Sequence, residues 1–98
     1  MTTKDFIITT LRNNKIRLAQ LGVKEVGLFG SYLRNEHTPN SDIDILIDFE
    51  TGKENFDNYI NACRLVEALF DKEKVEIVTK NGLSPYIGPR ILNEVVYV

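Results

Sequence analysis

The stretch "LFGSYLRNEHTPNSDIDILIDFE", Leu28–Glu50, connects two short apolar segments through a polar loop. A glycine–serine pair, Gly30 and Ser31, closes the first segment, and two acids, Asp42 and Asp44, open the second. Aspartate is a poor strand former and is rarely buried without a partner. Two aspartates at the start of an apolar strand therefore call for a functional explanation.

The second segment, "DIDILIDF", alternates with a period of two, which is the side-chain repeat of a β-strand. The side chains on one face are apolar: Ile43, Ile45, Ile47 and Phe49. The side chains on the opposite face are Asp42, Asp44, Leu46 and Asp48. The pattern predicts a strand with one face in the core and an acidic face turned away from it.

The N-terminal half predicts a helix, a strand and a short second helix before this segment. Residues 3–21 have apolar side chains at helical spacing, namely Ile7, Leu11, Leu18 and Leu21. A strand over Val23–Phe29 follows, because this run is short and rich in β-formers. A short helix from Ser31 to about Glu36 then leads into the polar loop "HTPNS".

The C-terminal half predicts a helix, a third strand and a last helical region. The helix over residues 55–70 has an apolar stripe of Tyr59, Cys63, Val66 and Phe70. The strand "KVEIVT" places Val75 and Ile77 on one face and Glu76 on the other. Ser84 and Pro85 open the last helical region, and we expect a turn at Pro89 before a second start that runs to about Val96.

The connections between these strands predict the topology of the sheet. A helical crossover between the second and third strands favours a parallel pair. The shorter connection between the first two strands favours an antiparallel pair if Gly30 and Asp42 share one site. The fold class predicted is α/β (α+β): one domain over residues 1–98, with a small mixed sheet of about three strands and flanking helices.

Composition narrows the classes of function. The net charge of −2 argues against a protein whose main task is to grip nucleic-acid backbone, so we expect no direct nucleic-acid binding. A single cysteine excludes an internal disulfide and fits a reducing compartment. The sequence has no signal-peptide core and no run of about 20 apolar residues, so we expect a cytoplasmic protein without a membrane segment.

The acidic face of the predicted sheet suits a divalent cation. If Val75 and Ile77 lie in the core, Glu76 emerges on the side of Asp42 and Asp44. Three converging carboxylates suit Mg²⁺, which takes oxygen ligands from one or two carboxylates, water and substrate phosphates. Two ions about 3.5–4 Å apart would serve an in-line phosphoryl displacement. The alternative is a solvated acidic face without a ligand.

The glycine–serine pair adds a possible anion site. Gly30 permits close approach of a phosphate, and Ser31 opens a helix whose first N–H groups are free to bind it. Arg34 lies three residues further along the same helix face and could form a forked pair with phosphate oxygens. The alternative is that Ser31 is an N-cap and Arg34 a surface charge. Together with the acids, the pair describes a site for a nucleoside triphosphate.

With these motifs the sequence resembles the nucleotidyltransferases of the DNA polymerase β-like superfamily, and more narrowly the minimal nucleotidyltransferase (MNT) antitoxins. The resemblance rests on "GSYLRNEHTPNSDID", which fits the pattern G-S-x10-D-x-D, and on "VEIVT" at the place of the third acid. The segments "LGVKEVGLFGS" and "GLSPYIGPRILNEVVYV" are also similar to that group, so the resemblance covers nearly the whole chain.

The resemblance implies a nucleotidyltransferase fold and transfer of AMP from ATP. It implies that Asp42 and Asp44 bind Mg²⁺, and that Glu76 supports the metal and draws the proton from the acceptor hydroxyl. It also implies that Gly30 and Ser31 bind the triphosphate. The implied partner is a HEPN-domain ribonuclease toxin, which such antitoxins neutralise by adenylylating a tyrosine, with or without stable binding.

The sequence departs from the family pattern at three positions. Glu76 stands where aspartate is usual, and the extra methylene moves the carboxylate by about 1.5 Å, enough to weaken a tightly positioned metal. Asn35 stands where glycine is common, and Leu33 replaces a small residue. These departures keep open an antitoxin that acts by binding alone. A third alternative, a small-molecule nucleotidyltransferase like those that modify aminoglycosides, generally needs a further helical domain.

Four other features receive structural interpretations. We expect His37 to be a solvated loop residue, Cys63 to pack in the core and Asp48 to be peripheral to the acidic site. The terminal apolar cluster "EVVYV" is expected to pack on the core, with an interaction surface as the alternative.

Overall fold

The computed structural model describes residues 2–98, and these form one mixed sheet with helices packed against it. The strands are β1 (Val23–Phe29), β2 (Ile43–Phe49), β3 (Val75–Thr79) and β4 (Val96–Tyr97). The helices are α1 (Lys4–Asn13), α2 (Lys15–Ala19), α3 (Gly30–Leu33), α4 (Phe56–Leu69) and α5 (Gly88–Glu94). A 3-10 turn spans Lys80–Gly82. Among residues 2–98, none of the helices has the length and apolar character that a membrane span needs.

The sheet has the strand order β3-β2-β1-β4. β1 and β2 are antiparallel and β2 and β3 are parallel, so both predicted pairings are confirmed. The predicted fold class is also confirmed, but within residues 2–98 the sheet has four strands instead of about three. The extra strand, β4, pairs antiparallel with β1 through Gly27–Tyr97 and Leu28–Val96.

The terminal cluster "EVVYV" is partly packed on the core and partly exposed, so each of the two interpretations offered for it applies to some of its residues. Val98 packs against the core and donates its backbone N–H to the carbonyl of Val26 at 3.0 Å. Val96 and Tyr97 form β4 but remain 43% and 37% exposed. A two-residue strand that follows a helix after one residue has too few alternations to be detected from sequence.

The core lies between the helices and one face of β2. The four apolar side chains predicted for that face are all buried: Ile43, Ile45, Ile47 and Phe49. They pack with Ile7, Leu11, Leu18, Ala62, Val66 and Phe70 from the helices. Cys63 is only half-buried. Because the core face of β2 is fixed by this packing, its aspartates are held on the opposite face.

The single helix predicted over residues 3–21 is wrong, because the chain breaks it at Asn14. This residue has φ −114° and ψ 12°, outside the helical region. Its side-chain Nδ2 donates to the Thr10 carbonyl at 2.7 Å, and its Oδ1 accepts from Arg17. Asparagine competes with the helix in this way because its short amide reaches nearby backbone groups.

The predicted turn at Pro89 is also wrong. The Ser84 hydroxyl accepts from the N–H groups of Tyr86 and Ile87, which forms a turn before the helix. α5 then begins at Gly88, and Pro89 lies in its first turn, where a missing N–H costs no hydrogen bond. The helix ends at Glu94, earlier than predicted, because the chain leaves it to form β4.

The helix after the glycine–serine pair is shorter than predicted and ends at Leu33. Two residues later Asn35 adopts φ 57°, in the left-handed region. Asparagine is one of the few side chains that tolerate this conformation. The sequence departure at this position, asparagine in place of glycine, is therefore compatible with the backbone.

Gly27→Ala is expected to destabilise the protein by about 1–3 kcal/mol through overpacking. A Cβ at Gly27 would lie 2.6 Å from Val95 Cγ2 and 2.9 Å from the Val96 carbonyl oxygen, so β4 would have to move away. Urea unfolding would measure the change. Lys24→Ala, at an exposed position of the same strand, is the control and should stay within about 0.5 kcal/mol. Equal midpoints for the two variants would contradict the tight packing of β4.

Candidate active site

The three acids singled out from the sequence lie at one edge of the sheet. Asp44 is the residue opposite Glu76 in the parallel pair of β2 and β3, and it is also opposite Phe29 at the end of β1. Asp42 immediately precedes β2, and its Oδ2 lies 4.0 Å from the Lys74 ammonium. The end of one strand and the starts of two others therefore meet here, as the sequence predicted.

Glu76 lies on the same face of the sheet as Asp44. Its neighbours Val75 and Ile77 pack against the core, whereas Glu76 is exposed. Paired residues on adjacent strands project to the same side of a sheet. The structure thus brings Glu76 beside Asp44, which is the arrangement that a shared cation site requires.

Gly30 touches Asp44 so closely that only glycine fits. A Cβ at Gly30 would lie 2.1 Å from Asp44 Oδ2 and 2.9 Å from Asp44 Cγ. Gly30 also has φ +81°, a conformation that side chains disfavour. The glycine–serine pair and the aspartates therefore form one site, because Ser31 follows Gly30 directly as the second residue of α3.

The site concentrates negative charge around Asp44, which disfavours the ionised form of its carboxyl group. Burial, together with Glu76 and Asp42, raises the pKa of the Asp44 carboxyl from 3.8 to about 6, and Arg34 only partly opposes this effect. A raised carboxyl pKa in a cluster of like charges means that the ionised form lacks compensation. A bound cation would supply it.

The acids suit Mg²⁺ bound together with other ligands. Within residues 2–98, no group of three or more His, Cys, Asp or Glu side chains is arranged so as to enclose a metal ion by itself. Mg²⁺ does not require such a cage, because it commonly binds one or two carboxylates and completes its shell with water and substrate phosphates. Asp42 and Asp44 fit this requirement, with Glu76 as a neighbouring acid.

Arg34, predicted to reach the phosphates, is held between two glutamates. Its Nε lies 2.7 Å from Glu36 Oε1, and its Nη1 contacts Glu94 Oε1. These contacts leave other guanidinium donors unused, since arginine has five N–H groups. The side chain is 40% exposed, so a phosphate can approach it.

Sequence reasoning missed Glu94. The Gly30 N–H donates to Glu94 Oε2 at 2.9 Å, over a separation of 64 residues. Burial alone would raise the pKa of the Glu94 carboxyl, but the Gly30 N–H and the Arg34 guanidinium outweigh it, and the pKa lies below its usual value. The sequence could have indicated the contact between Glu94 and Gly30 only indirectly, through recognition of β4 and of its register with β1.

His37 was wrongly expected to be solvated. Its ring stacks on Tyr32, with centroids 4.1 Å apart and an interplanar angle of 10°. Its Nδ1 is buried and has no hydrogen-bond partner among residues 2–98. Asp48 lies at the other end of β2 from Asp44, and its Oδ2 is 3.9 Å from the Lys80 ammonium.

The fold and the site together define a class of protein, the enzymes that transfer a nucleotide group. The chain matches the family model of the nucleotidyltransferase domain over residues 11–98. With nearly the whole chain matched, the protein belongs to the nucleotidyltransferase domain family.

The relatives include named adenylyltransferases. The protein adenylyltransferase MntA of Thermococcus cleftensis is 39% identical over 99 residues, covering 100% of this chain and 98% of the relative. A candidate protein adenylyltransferase of Methanocaldococcus jannaschii is 43% identical over 81 residues, covering 83% of this chain and 85% of the relative. These similarities agree with the MNT resemblance of the sequence and mark the protein as an enzyme of the adenylyltransferase type.

Two solved structures have the same fold. A candidate minimal nucleotidyltransferase superposes with a TM-score of 0.71 and 30% identity, covering 91% of this chain and 93% of that one. A toxin–antitoxin solved with AMP-PNP superposes with a TM-score of 0.63 and 22% identity, covering 98% of this chain and 72% of that one. At 22% identity, the similarity to the toxin–antitoxin supports a shared fold and nothing more.

Proposed function

We propose that this protein is a Mg²⁺-dependent protein adenylyltransferase that acts as an antitoxin. It moves AMP from ATP to a hydroxyl, that of a tyrosine, on a HEPN ribonuclease toxin. The observation that carries the proposal is the contact of Gly30 with Asp44, with Glu76 paired beside Asp44. This arrangement joins a turn that a phosphate can approach to a cluster of carboxylates.

The proposed reaction is an in-line displacement at the α-phosphorus of ATP. The acceptor oxygen forms a bond to that phosphorus, the bond to the bridging oxygen breaks, and pyrophosphate leaves. Asp42 and Asp44 would hold Mg²⁺, expected as two ions, which would neutralise charge on the phosphates. Glu76, exposed beside Asp44, accepts the proton of the acceptor hydroxyl.

The groups around the turn would orient the triphosphate. Gly30 permits close approach of its oxygens, and the Ser31 hydroxyl and the Arg34 guanidinium supply hydrogen bonds. Orientation of this kind is a large part of catalysis in phosphoryl transfer, because the protein contributes mainly positioning and charge.

The comparisons support a protein as the acceptor and a toxin as the partner. A relative of full length is named as a protein adenylyltransferase, and a neighbour of the same fold was solved as a toxin–antitoxin. The partner would be encoded beside the gene for this chain. A small helical protein with an Arg-x4-6-His motif at that position is the expected partner.

Mass spectrometry of the intact toxin tests the proposal. Incubation with this protein, ATP and Mg²⁺ should add the mass of one or more AMP groups to the toxin, and the modified residue should be a tyrosine. Asp42→Asn should reduce the modified fraction at least 100-fold, as expected when an essential metal ligand is removed. A toxin of unchanged mass, or equal labelling with Asp42→Asn, would contradict the proposal.

Inhibition by binding alone is the second candidate function. It is favoured by Glu76 in place of aspartate and by the exposed Val96 and Tyr97 of β4. The double variant Asp42→Asn, Asp44→Asn separates the two functions. If it still neutralises the toxin, binding suffices; if it binds the toxin but gives no protection, AMP transfer is required.

A further inference from the structure

The pairing of β4 with β1 carries Glu94 to the glycine–serine turn. The antiparallel register joins Leu28 to Val96. If this antiparallel register is extended by two residues, forward from Leu28 and backward from Val96, Gly30 lies opposite Glu94. The side chain completes this approach, since Glu94 Oε2 accepts from the Gly30 N–H at 2.9 Å.

The two carboxylate oxygens of Glu94 bind two parts of the candidate site. One oxygen accepts from Gly30, and the other pairs with Arg34 Nη1. The side chain is only 23% exposed, which limits its freedom to leave. Glu36 contacts the same arginine through Nε but is 66% exposed, and no hydrogen bond joins it to Gly30.

The position of Gly30 matters to the acids because the Asp44 carboxylate occupies the space that a Cβ on Gly30 would take. A Cβ on Gly30 would overlap Asp44 Oδ2, so a small shift of the turn moves the carboxylate or opens a gap beside it. Glu94 therefore acts on two predicted functional groups at once, on Asp44 through Gly30 and on the guanidinium directly.

We propose that Glu94 is a positioning residue of the nucleotidyl-transfer reaction, which holds the Gly30 turn and orients Arg34 for the triphosphate. The inference rests on the proposed function. The competing role is that of a carboxylate that occupies the phosphate position and must be displaced. Positioning fits the contacts better, because Arg34 keeps donors beyond the two that the glutamates use.

Three variants test this role: Glu94→Ala, Glu94→Gln and, as the matched control, Glu36→Ala. Glu94→Ala should lower kcat for AMP transfer about 10- to 100-fold and weaken binding of a nonhydrolysable ATP analogue with Mg²⁺, because misplacement of about 1 Å has effects of this size. Glu94→Gln keeps an acceptor for the Gly30 N–H and should recover part of kcat. The kcat of Glu36→Ala should stay within about twofold of the wild-type value, since an exposed ion pair contributes little.

A structural readout accompanies the kinetics. The Gly30 amide proton resonance should shift upfield in Glu94→Ala, shift less in Glu94→Gln and stay in place in Glu36→Ala. The thermal midpoints of all three variants are measured as well. Recovery by Glu94→Gln at an unchanged midpoint separates positioning from loss of fold.

The inference is overturned if Glu94→Ala binds the ATP analogue more tightly, which is the result for a carboxylate that competes with phosphate. It is also overturned if kcat, analogue affinity and the Gly30 resonance are all unchanged. If the wild type transfers no AMP, the proposed function fails, and analogue affinity with the Gly30 resonance still decides the role of Glu94.

Discussion

Gly30→Ala is expected to abolish AMP transfer and to destabilise the fold. The new Cβ would lie 2.1 Å from Asp44 Oδ2, which is far too short for two nonbonded atoms. Asp44 or the turn must therefore move. The left-handed backbone at φ +81° adds about 1–2 kcal/mol of strain for a residue with a side chain.

The expected loss of activity is at least about 100-fold, because a displaced carboxylate no longer meets the metal and the phosphates in the required geometry. The measurement is the rate of AMP transfer together with the free energy of unfolding in urea. Gly52→Ala is the matched control. Gly52 has φ +78°, but a Cβ there would meet nothing within 4 Å.

The control separates the effect of backbone strain, which both variants have, from the steric clash with Asp44, which only Gly30→Ala has. Gly52→Ala should lose about 1 kcal/mol of stability and no activity, whereas Gly30→Ala should lose both. If the two variants have equal activity, Gly30 is not in contact with a functional Asp44, and the candidate site is wrong.

Asp44→Asn should remove activity and, in the absence of metal, stabilise the protein. The neighbouring acids and burial disfavour the ionised Asp44, so the neutral amide relieves a repulsion. The change in pKa from 3.8 to about 6 corresponds to roughly 3 kcal/mol at full strength. Solvent screening at a partly exposed carboxylate reduces the expected gain to about 1 kcal/mol.

The pH dependence of this gain follows from the direction of the shift. Between pH 4 and 6, roughly, the folded state holds the Asp44 proton while the unfolded state releases it. The contribution of Asp44 to stability therefore falls as pH rises through this window, and its full cost is present above about pH 6. The advantage of Asp44→Asn over wild type should be large at pH 7.5 and small at pH 4.

Thermal unfolding at these two pH values, with and without Mg²⁺, measures the effect. Mg²⁺ should raise the midpoint of the wild type at pH 7.5, because a bound cation compensates the ionised acids, and should have little effect on Asp44→Asn. Asp48→Asn, at the far end of the same strand face, is the control and should leave the response to Mg²⁺ unchanged. A wild type that is more stable than Asp44→Asn in metal-free buffer would contradict the charge repulsion.

The sequence predicted the placement of the acids on one face of the sheet correctly, because their pattern is local. Strict alternation over "DIDILIDF" assigns Asp42 and Asp44 to one face, and alternation around Glu76 assigns it to the same face once both strands share a core. The helical crossover between those strands then favours a parallel pair, which the structure confirms. Their roles in metal and nucleotide binding remain predictions.

The errors came from features that local patterns do not encode. The break at Asn14 depends on a side chain that competes with the helix backbone. The position of His37 depends on Tyr32, which offers a ring for it to stack on. In each case hydrophobic spacing gave no warning, because the decisive partner is polar or lies in another element.

By itself, the sequence determined the core face, the acidic face and the spacing between the glycine–serine pair and the aspartates. Only the tertiary structure decided that Gly30 lies against Asp44 and that Glu94 binds its amide from 64 residues away. Periodicity specifies which way a side chain points from its own strand. The contact with Glu94 depends on the register of a two-residue strand, which is set by packing against Gly27 and not by any repeat in the sequence.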